Sequence, residues 1–163
     1  MCGLAFPGKS TLALRIAGEL SICMINLDAI NHERGLRGGE GMSIAQWEET
    51  SAIAMDRLCQ CLGEGKSAVV DDTFSRRFLR DRCKAVALEF RAEFTVVFVD
   101  TAIEEIRSRR DANNQRPTRH HVRDDVFEDH YKTIQFPTTE EPVVRVVEGF
   151  DLQSWLTKEA ARL

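Results

Sequence analysis

The chain has 163 residues and carries 22 Lys and Arg against 26 Asp and Glu, a formal net charge of −4. Its length fits one compact domain, and its acidic balance argues against binding to nucleic acid or an anionic membrane through bulk charge. The five cysteines are odd in number and lack CxxC spacing, which argues against a disulfide framework and a zinc site and favours Cys23 and Cys83 as core residues. No apolar run approaches the length of a membrane span, so we expect no membrane association and a cytoplasmic protein.

The stretch from Gly3 to Thr11 reads GLAFPGKST and matches the pattern G-x-x-x-x-G-K-[ST]. Apolar residues follow at helical spacing, so the loop opens a helix. In such a loop, backbone N–H groups and the helix N-terminus face an anion, Lys9 reaches the β- and γ-phosphates of a nucleotide, and the Ser10 hydroxyl ligates Mg²⁺. We therefore predict a nucleotide site formed by Gly3, Phe6, Gly8, Lys9, Ser10 and Thr11.

Two features of this loop are unusual. Pro7 has no backbone N–H to offer a phosphate, and Phe6 stands where many such loops carry glycine. Only Met1 and Cys2 precede Gly3, although the strand that should lead into the loop normally needs about five residues. We expect either a truncated first strand or a chain that lacks a few N-terminal residues, and we favour the second interpretation.

Strands and helices alternate along the rest of the chain. The predicted strands lie at 22–27, 67–70, 94–99 and 143–147, and the predicted helices at 43–63, 76–91, 102–112, 122–134 and 152–162. The glycine-rich segment 29–42 is predicted to be a loop, and 113–118 interrupts the helical pattern. Alternation of this kind gives right-handed βαβ units. We predict a single domain (1–163) of the α/β class, a three-layer sandwich with a mainly parallel five-stranded sheet and a small lid at about 107–123.

Acidic residues end three of the predicted strands: Asp28, the pair Asp71 and Asp72, and Asp100. The carboxyl ends of parallel strands meet at one edge of a sheet, where ligands bind. Acids beside a phosphate would repel it unless a cation lay among them, and Mg²⁺ is the expected cation. Asp28 is interpreted as a general base that takes a proton from a substrate hydroxyl, or as a helix N-cap. Asp100 is interpreted as a helix cap.

Asp71 and Asp72 have three interpretations: ordering Mg²⁺ through water, orienting the substrate, or capping the next helix. Because side chains alternate along a strand, we expect only one of the two carboxylates to face the cleft.

Four arginines flank the helix break: Arg107, Arg109, Arg110 and Arg116. A lid that carries arginine can neutralise the transferring phosphoryl group and exclude water, although a solvated helix face would have the same pattern. Arg110 and Arg116 bracket the break and are the preferred catalytic pair.

Three histidines, His120, His121 and His130, lack metal-ligand spacing and are expected at the surface or at a partner contact.

Four segments together resemble the P-loop kinases of the zeta-toxin, chloramphenicol phosphotransferase and polynucleotide kinase group. They are GLAFPGKST, INLDAIN, VVDDTF, and NQRPT followed by QFPTTEEP, and the resemblance spans Gly3 to about Pro142. It implies a P-loop NTPase kinase-like fold with the phosphate-loop strand near the centre of the sheet. It also implies that Lys9 and Ser10 hold ATP and Mg²⁺, that Asp28 is the catalytic base, and that Arg110 and Arg116 belong to the lid.

The acceptor side of the site is less well defined. The candidate substrate-binding residues are Asp28, Arg34, Asp71, Asp72 and Thr73, with Asp72 also a candidate Mg²⁺ ligand through water. Polynucleotide kinases carry an arginine three residues after the base, where this chain has Asn31. Arg34 or Arg37 could supply that charge, and the segment 35–41 is assigned by hypothesis to acceptor recognition.

The sequence therefore predicts an ATP-dependent phosphotransferase that moves the γ-phosphate to a hydroxyl of a small-molecule acceptor. One alternative is a nucleotide-binding module or weak ATPase without transfer activity, and another is a polynucleotide 5′-hydroxyl kinase. A switch-type GTPase is not favoured because the chain has no Asn-Lys-x-Asp stretch for guanine.

Overall fold

A computed structural model describes residues 1–36, 41–116 and 122–163 of the chain. Apart from α2, its helices and strands follow the predicted order: α1 (Lys9–Leu20), β1 (Cys23–Asn26), α2 (Leu27–Glu33), α3 (Ile44–Gly63), β2 (Ala68–Asp71), α4 (Arg77–Glu89), β3 (Val96–Val99), α5 (Ile103–Gln115), α6 (Asp124–Thr133), β4 (Val143–Val146) and α7 (Leu152–Ala160). No helix among these residues is long and apolar enough to cross a membrane.

Helix α2 differs from the prediction, which assigned 29–42 to a loop. The Asn26 side chain caps this helix by accepting a hydrogen bond from the Ala29 N–H at 2.6 Å, and Leu27 and Ile30 bury its apolar side. The cap and two core contacts outweigh the glycine-rich composition of the segment that follows. Residues 37–40, with Arg37 among them, lie outside the described residues.

Helix α5 runs to Gln115, three residues beyond the predicted end. Of the predicted lid at 107–123, residues 117–121 lie outside the described residues, and His120 and His121 are among them.

The described strands form two two-stranded parallel sheets instead of the predicted five-stranded sheet. Strand β1 pairs with β2 from Cys23 opposite Ala68 to Asn26 opposite Asp71. Strand β3 pairs with β4 in the same parallel sense, over Val96–Val99 and Val143–Val146. The prediction was wrong in strand number because only residues 1–3 lie between the two pairs, and they make a single β-bridge rather than a strand.

Residues 1–3 hold the two sheets together at their carboxyl ends. The Met1 α-amino group donates to the Val70 carbonyl at 2.6 Å. Cys2 bonds to β3 through both of its backbone groups, at 2.8 and 2.9 Å. The chain therefore enters the GLAFPGKST loop between β2 and β3.

Helices cover both faces of the paired strands, which gives the predicted three layers. On one face, α3 and α4 contribute Ala54, Leu58 and Cys83 to a core cluster that includes Ile25 and Phe98. The other face is covered by α1 and α7, which pack as a second cluster: Ala13, Ile16 and Leu156 against Val69, Val97 and Val99. Strand β3 is buried along its whole length, as expected for a strand covered by helices on both sides.

A third apolar cluster packs α5 and α6 against the GLAFPGKST loop. Its buried members are Leu4, Phe6, Ile106, Phe127 and Ile134. The loop is therefore covered by α5, most of which lies within the predicted lid, and by α6, which follows the lid.

Two cysteines pair, contrary to the expectation from composition. Cys23 of β1 and Cys61 of α3 form a disulfide, with their Cα atoms 6.8 Å apart. The spacing of 38 residues follows no sequence pattern, because the two positions meet only when α3 packs on β1.

A buried ion pair fastens the segment before β4 to α4. The Arg80 Nε and Nη2 atoms donate to the two Glu141 carboxylate oxygens at 2.6 and 2.8 Å, and both residues are less than a tenth exposed. Arg80 Nη1 also donates to the carbonyls of Phe74 and Gln135. Two-pronged geometry with further hydrogen bonds is the arrangement in which a buried pair is well compensated.

We expect Glu141→Gln to destabilise the fold by about 3–5 kcal/mol, because it leaves the Arg80 charge buried without its carboxylate. Urea unfolding measures the difference. The matched control is Glu140→Gln, whose side chain is 79% exposed and which should stay within about 0.5 kcal/mol of the wild type. Equal, small effects in both variants would show that the pair is not a structural clamp.

Candidate functional site

The backbone of the GLAFPGKST loop adopts left-handed conformations at three positions. Gly3 has φ 142°, and a Cβ there would lie 2.7 Å from the Val99 carbonyl oxygen, so only glycine fits. Gly8 has φ 101° and Phe6 has φ 66°. A bulky residue in this region is strained. The buried Phe6 ring packs in the cluster with Phe127, which offsets the strain.

The outer side of the loop is held through its carbonyl groups. The Pro7 carbonyl accepts hydrogen bonds from Thr101 Oγ1 at 3.2 Å and from Arg109 Nη1 at 2.9 Å, and Arg109 Nη1 also lies 3.3 Å from the Phe6 carbonyl. Glu105 pairs with Arg109 one turn earlier on α5. The charged Arg109 side chain therefore holds the loop at Pro7, the residue that has no backbone N–H.

Lys9 and Ser10 begin helix α1, which has Gly8 at its N-cap and no side-chain cap. Lys9 is only 8% exposed, and its Nζ donates to the Leu4 carbonyl at 2.5 Å. Ser10 and Thr11 are exposed in the first turn. This helix N-terminus and these two hydroxyls are the groups that an anion at the loop would meet.

The charges of Lys9 and Asp28 both act on the Asp72 carboxyl. Burial raises the pKa of the half-buried Asp72 carboxyl, the negative charge of Asp28 adds to the rise, and Lys9 and backbone N–H groups oppose it. Asp28 is exposed in the first turn of α2. The cap of that helix is Asn26, so the N-cap interpretation of Asp28 was wrong.

Asp71 has a different environment from its neighbour. It is 3% exposed, and its Oδ2 accepts a hydrogen bond from Asn26 Nδ2 at 2.7 Å across the β1–β2 pair. Thr73 contributes its carbonyl, which accepts from the Gly3 N–H at 3.1 Å. The two neighbouring aspartates therefore differ as strand alternation predicts. Asp71 joins β1 to β2, and Asp72 lies in the electrostatic field of Lys9.

Two further predicted residues have structural partners. Arg34 donates to the Gln46 carbonyl at 2.8 Å and pairs with Glu49, which holds its guanidinium against α3. Asp100 accepts from Arg145 Nε at 2.6 Å across β3 and β4. The helix-cap interpretation of Asp100 was wrong because α5 has no side-chain cap.

The two arginines that bracket the helix break differ in burial. The Arg110 guanidinium lies 4.8 Å above the Phe127 ring, and its Nη2 is 3.5 Å from an Asp124 oxygen. Its Nε and Nη1 atoms are buried, and no hydrogen-bond partner is found for either in the described structure. Arg116 is exposed at the end of α5.

Sequence reasoning placed His130 at the surface or at a partner contact, but in the structure it is half-buried beside the loop. His130 lies on the α6 face that also presents Phe127 and Ile134 to the loop cluster. Its Nε2 atom is buried, with no hydrogen-bond partner among the described residues. Burial, followed by the charges of Lys9 and Arg76, lowers its pKa. The helical spacing of residues 127, 130 and 134 was the sequence signal that could have placed His130 on the buried face of α6.

Magnesium fits the donors present. The described residues contain no group of three or more His, Cys, Asp or Glu side chains that could hold a metal. Mg²⁺ bound with a nucleotide needs few protein ligands because phosphate oxygens and water complete its shell. The Ser10 hydroxyl and, through water, the Asp72 carboxylate are the candidate ligands.

These features define a P-loop NTPase with a kinase-like α/β fold. The chain belongs to the AAA domain family, whose model matches residues 1–137. A comparison with curated protein sequences finds no match.

Solved structures share the fold at low sequence identity. The Mycobacterium tuberculosis APS kinase in complex with AMPPNP and APS is 17% identical with a TM-score of 0.70, over 99% of this chain and 95% of that chain. Chaetomium thermophilum Kti12 in complex with ADP-AlF3 is 16% identical with a TM-score of 0.78, over 99% and 94%. A gluconokinase from Sinorhizobium meliloti is 19% identical with a TM-score of 0.65, over 98% and 87%.

We expect Arg109→Ala to weaken ATP binding about tenfold, because the loop carbonyls lose a charged hydrogen-bond donor worth about 1.5 kcal/mol or more. Isothermal titration calorimetry measures the affinity. The control is Arg107→Ala on the same helix, where the removed group pairs with Glu128 and not with the loop. A similar affinity in both variants would remove Arg109 from the support of the loop.

The pKa of His130 should lie below 6.5, its ordinary value, and NMR titration of the imidazole measures it. Since the folded pKa is the lower one, the unfolded chain binds the proton more readily, and stability should fall as the pH drops below about 6.5. His130→Gln should lose this component of the pH dependence. A midpoint at or above 6.5 would contradict the burial of the imidazole.

Proposed function

We propose that the protein is an ATP-dependent phosphotransferase that moves the γ-phosphate to a hydroxyl of a small-molecule acceptor. The observation that carries the proposal is the grouping of three charges at one edge of the fold. Lys9 at the head of α1, the half-buried Asp72 after β2 and the exposed Asp28 after β1 form this group. A cation for the transferring phosphate and a carboxylate for the attacking hydroxyl are the two charges that phosphoryl transfer requires.

The loop and the start of α1 form the donor side. In the proposed complex, the triphosphate of ATP lies against the N-terminus of α1, and Lys9 moves from the Leu4 carbonyl to the β- and γ-phosphates. Ser10 and, through water, Asp72 would hold Mg²⁺, which would neutralise phosphate charge. The hydrogen bonds from Thr101 and Arg109 to the Pro7 carbonyl hold this loop in place.

Asp28 is the proposed catalytic base. As the acceptor oxygen attacks the γ-phosphorus, Asp28 takes the hydroxyl proton, the bond to the bridging oxygen breaks, and ADP leaves. Exposure of this carboxylate suits the role because an acceptor from solvent can reach it. Thr73, Asp71 and Arg34 remain candidate acceptor residues, with Asp71 and Arg34 acting through the segments that they hold in place.

Arg110 and Arg116 are the proposed lid arginines. The Nε and Nη1 atoms of Arg110 are buried and have no hydrogen-bond partner within 1–36, 41–116 and 122–163, so a phosphoryl group could accept from them. Arg116 is the exposed C-cap residue of α5 and lies within the predicted lid at 107–123. The charge of either arginine would stabilise the transferring phosphoryl group, and the lid that carries them would exclude water.

The comparisons support a small acceptor, and a cytoplasmic enzyme remains part of the proposal. An APS kinase and a gluconokinase have similar folds, and their names specify small acceptors. Within the kinases of this fold, the zeta-toxin, chloramphenicol phosphotransferase and polynucleotide kinase group is the proposed subgroup. A nucleic-acid acceptor is disfavoured because Asn31 is buried and bonded to Thr50.

A nucleotide-binding module or weak ATPase is the second candidate. Two observations favour it: Pro7 lacks an N–H at the loop, and the strained Phe6 is locked by packing against α6. Such a protein would bind ATP without acceptor-dependent turnover.

We expect Asp28→Asn to abolish phosphoryl transfer, with a loss of at least about a hundredfold in rate, while ATP affinity stays within about threefold of the wild type. ADP release across a panel of sugars, sugar acids and amino alcohols measures transfer, and calorimetry measures affinity. Lys9→Ala is the companion variant and should weaken ATP binding itself.

The outcomes separate the two candidates. Transfer that survives in Asp28→Asn would remove this residue from the mechanism. ATP binding without ADP release for any acceptor would favour the module, and no ATP binding by the wild type would defeat both functions.

A further inference from the structure

The segment that follows β2 is bonded side by side with the end of α6. The Arg76 Nη1 atom donates to the Thr133 carbonyl at 3.0 Å. The Gln135 N–H donates to the Ser75 carbonyl at 2.7 Å. These bonds place the Arg76 guanidinium beside the last turn of α6, in which His130 lies one turn before Thr133.

The same segment has a strained backbone. Phe74 is buried and has φ 42°, a left-handed conformation that bulky residues rarely adopt. Such strain persists only where the surroundings hold it, and it is concentrated at binding and catalytic sites. The preceding carbonyl, that of Thr73, accepts from the Gly3 N–H of the nucleotide loop. The segment 72–76 is therefore held in a fixed shape between the nucleotide loop and α6.

Arg76 is a half-buried cation that has no carboxylate partner in the part of the chain that the structure describes. Its one hydrogen bond there goes to the Thr133 carbonyl. The next residue, Arg77, has its guanidinium paired with Asp81. A guanidinium has five N–H donors, and arginine is seldom removed from water without a charged partner. Most of the Arg76 donors are therefore available to a ligand.

His130 is a second group that lacks a partner. Its Nε2 atom is buried, and no hydrogen-bond partner for it lies within 1–36, 41–116 and 122–163. The imidazole can turn without losing a hydrogen bond at this atom, and a ligand oxygen would supply one. Among the charges that act on the imidazole, the positive Lys9 and Arg76 outweigh the exposed Asp129. An anion is the ligand that these charges attract.

We propose that Arg76 and His130 form a subsite for an oxyanion on the acceptor, so that the acceptor is a hydroxyl compound that also carries a carboxylate or a phosphate. The inference rests on the proposed phosphotransferase function. Arg76 would donate to the oxyanion through its remaining N–H groups, and His130 through Nε2. The charge of Lys9 acts on both His130 and Asp72, so the subsite lies beside the acids at the strand ends. An acceptor held there by its anion would present its hydroxyl to Asp28.

Sulfate is the probe for this subsite, because it is an oxyanion that does not titrate near neutral pH. NMR of the His130 imidazole follows its binding in the protein saturated with Mg²⁺ and AMPPNP, which fill the nucleotide loop. Sodium chloride at equal ionic strength is the salt control. The exposed His32 on α2 is the control imidazole.

Sulfate should move the His130 resonances and leave those of His32 unchanged. It should raise the pKa of His130, because an anion beside the imidazole favours the charged form. Sulfate should therefore bind at least about threefold tighter at about pH 6 than at about pH 8. His130→Gln should remove this pH dependence.

The variants test the two donors separately. Arg76→Gln and His130→Gln should each weaken sulfate binding about tenfold, as measured by the amide resonances of Thr133 and Gln135. Arg76→Lys keeps the charge and should weaken binding less than Arg76→Gln. The matched control Arg77→Gln should stay within about twofold of the wild type. Thermal unfolding shows that each variant is folded.

The outcomes separate this subsite from the nucleotide site. A response of His130 to sulfate that disappears once AMPPNP is bound would assign the anion to a nucleotide phosphate and overturn the acceptor subsite. No response with AMPPNP bound, or equal weakening by Arg77→Gln, would also overturn it while leaving the proposed function in place. A wild type that does not bind AMPPNP would defeat the proposed function, and this inference with it.

ADP release with matched acceptors is the second readout. Gluconate and sorbitol differ only by a carboxylate in place of a CH₂OH group, as do glycerate and glycerol. Within the acceptor panel, kcat/KM should be at least about tenfold higher for the acids than for their neutral partners. His130→Gln should raise the KM of the acid about tenfold, with kcat within about threefold of the wild type. Preference for the neutral partners would overturn the proposal, and ADP release with no acceptor would defeat the transferase itself.

Discussion

The structure depends on the backbone hydrogen bonds of residues 1–3. They hold β2 on one side and β3 on the other, and thereby join two otherwise separate sheets at the point where the nucleotide loop begins. Each bond contributes only about 1 kcal/mol to stability. Their position matters more than their energy, because the loop, the start of α1 and the acids after β1 and β2 meet at this edge.

Local patterns predicted the elements but not the sheet. Alternation of apolar and polar segments located all four described strands and most helices, and Ser43 with Gln46 forms a capping box at the start of α3. The predicted number of strands was wrong because that number depends on what lies between β2 and β3. Helix α2 was missed because its stability comes from the Asn26 cap and tertiary burial of Ile30, and neither is a property of composition.

The site was predictable where a motif fixes chemistry and not where packing does. The loop pattern correctly placed Lys9 and Ser10 at the start of a helix, and strand alternation anticipated that Asp71 and Asp72 would differ. Arg109 was one of four similar arginines, and only the fold shows that its guanidinium bonds to the loop. The ion pair of Arg80 with Glu141 joins positions 61 residues apart, a pairing that no local pattern specifies.

The central claim is that the loop and the acids at the strand ends form one phosphoryl-transfer site. The most direct measurement is a crystal structure with Mg²⁺ and a non-hydrolysable ATP analogue. The account predicts the phosphates at the N-terminus of α1, with Lys9 Nζ moved from Leu4 to the γ-phosphate and Asp28 facing it across the acceptor space. A nucleotide bound elsewhere, or a lysine still bonded to the Leu4 carbonyl beside the bound phosphates, would contradict it.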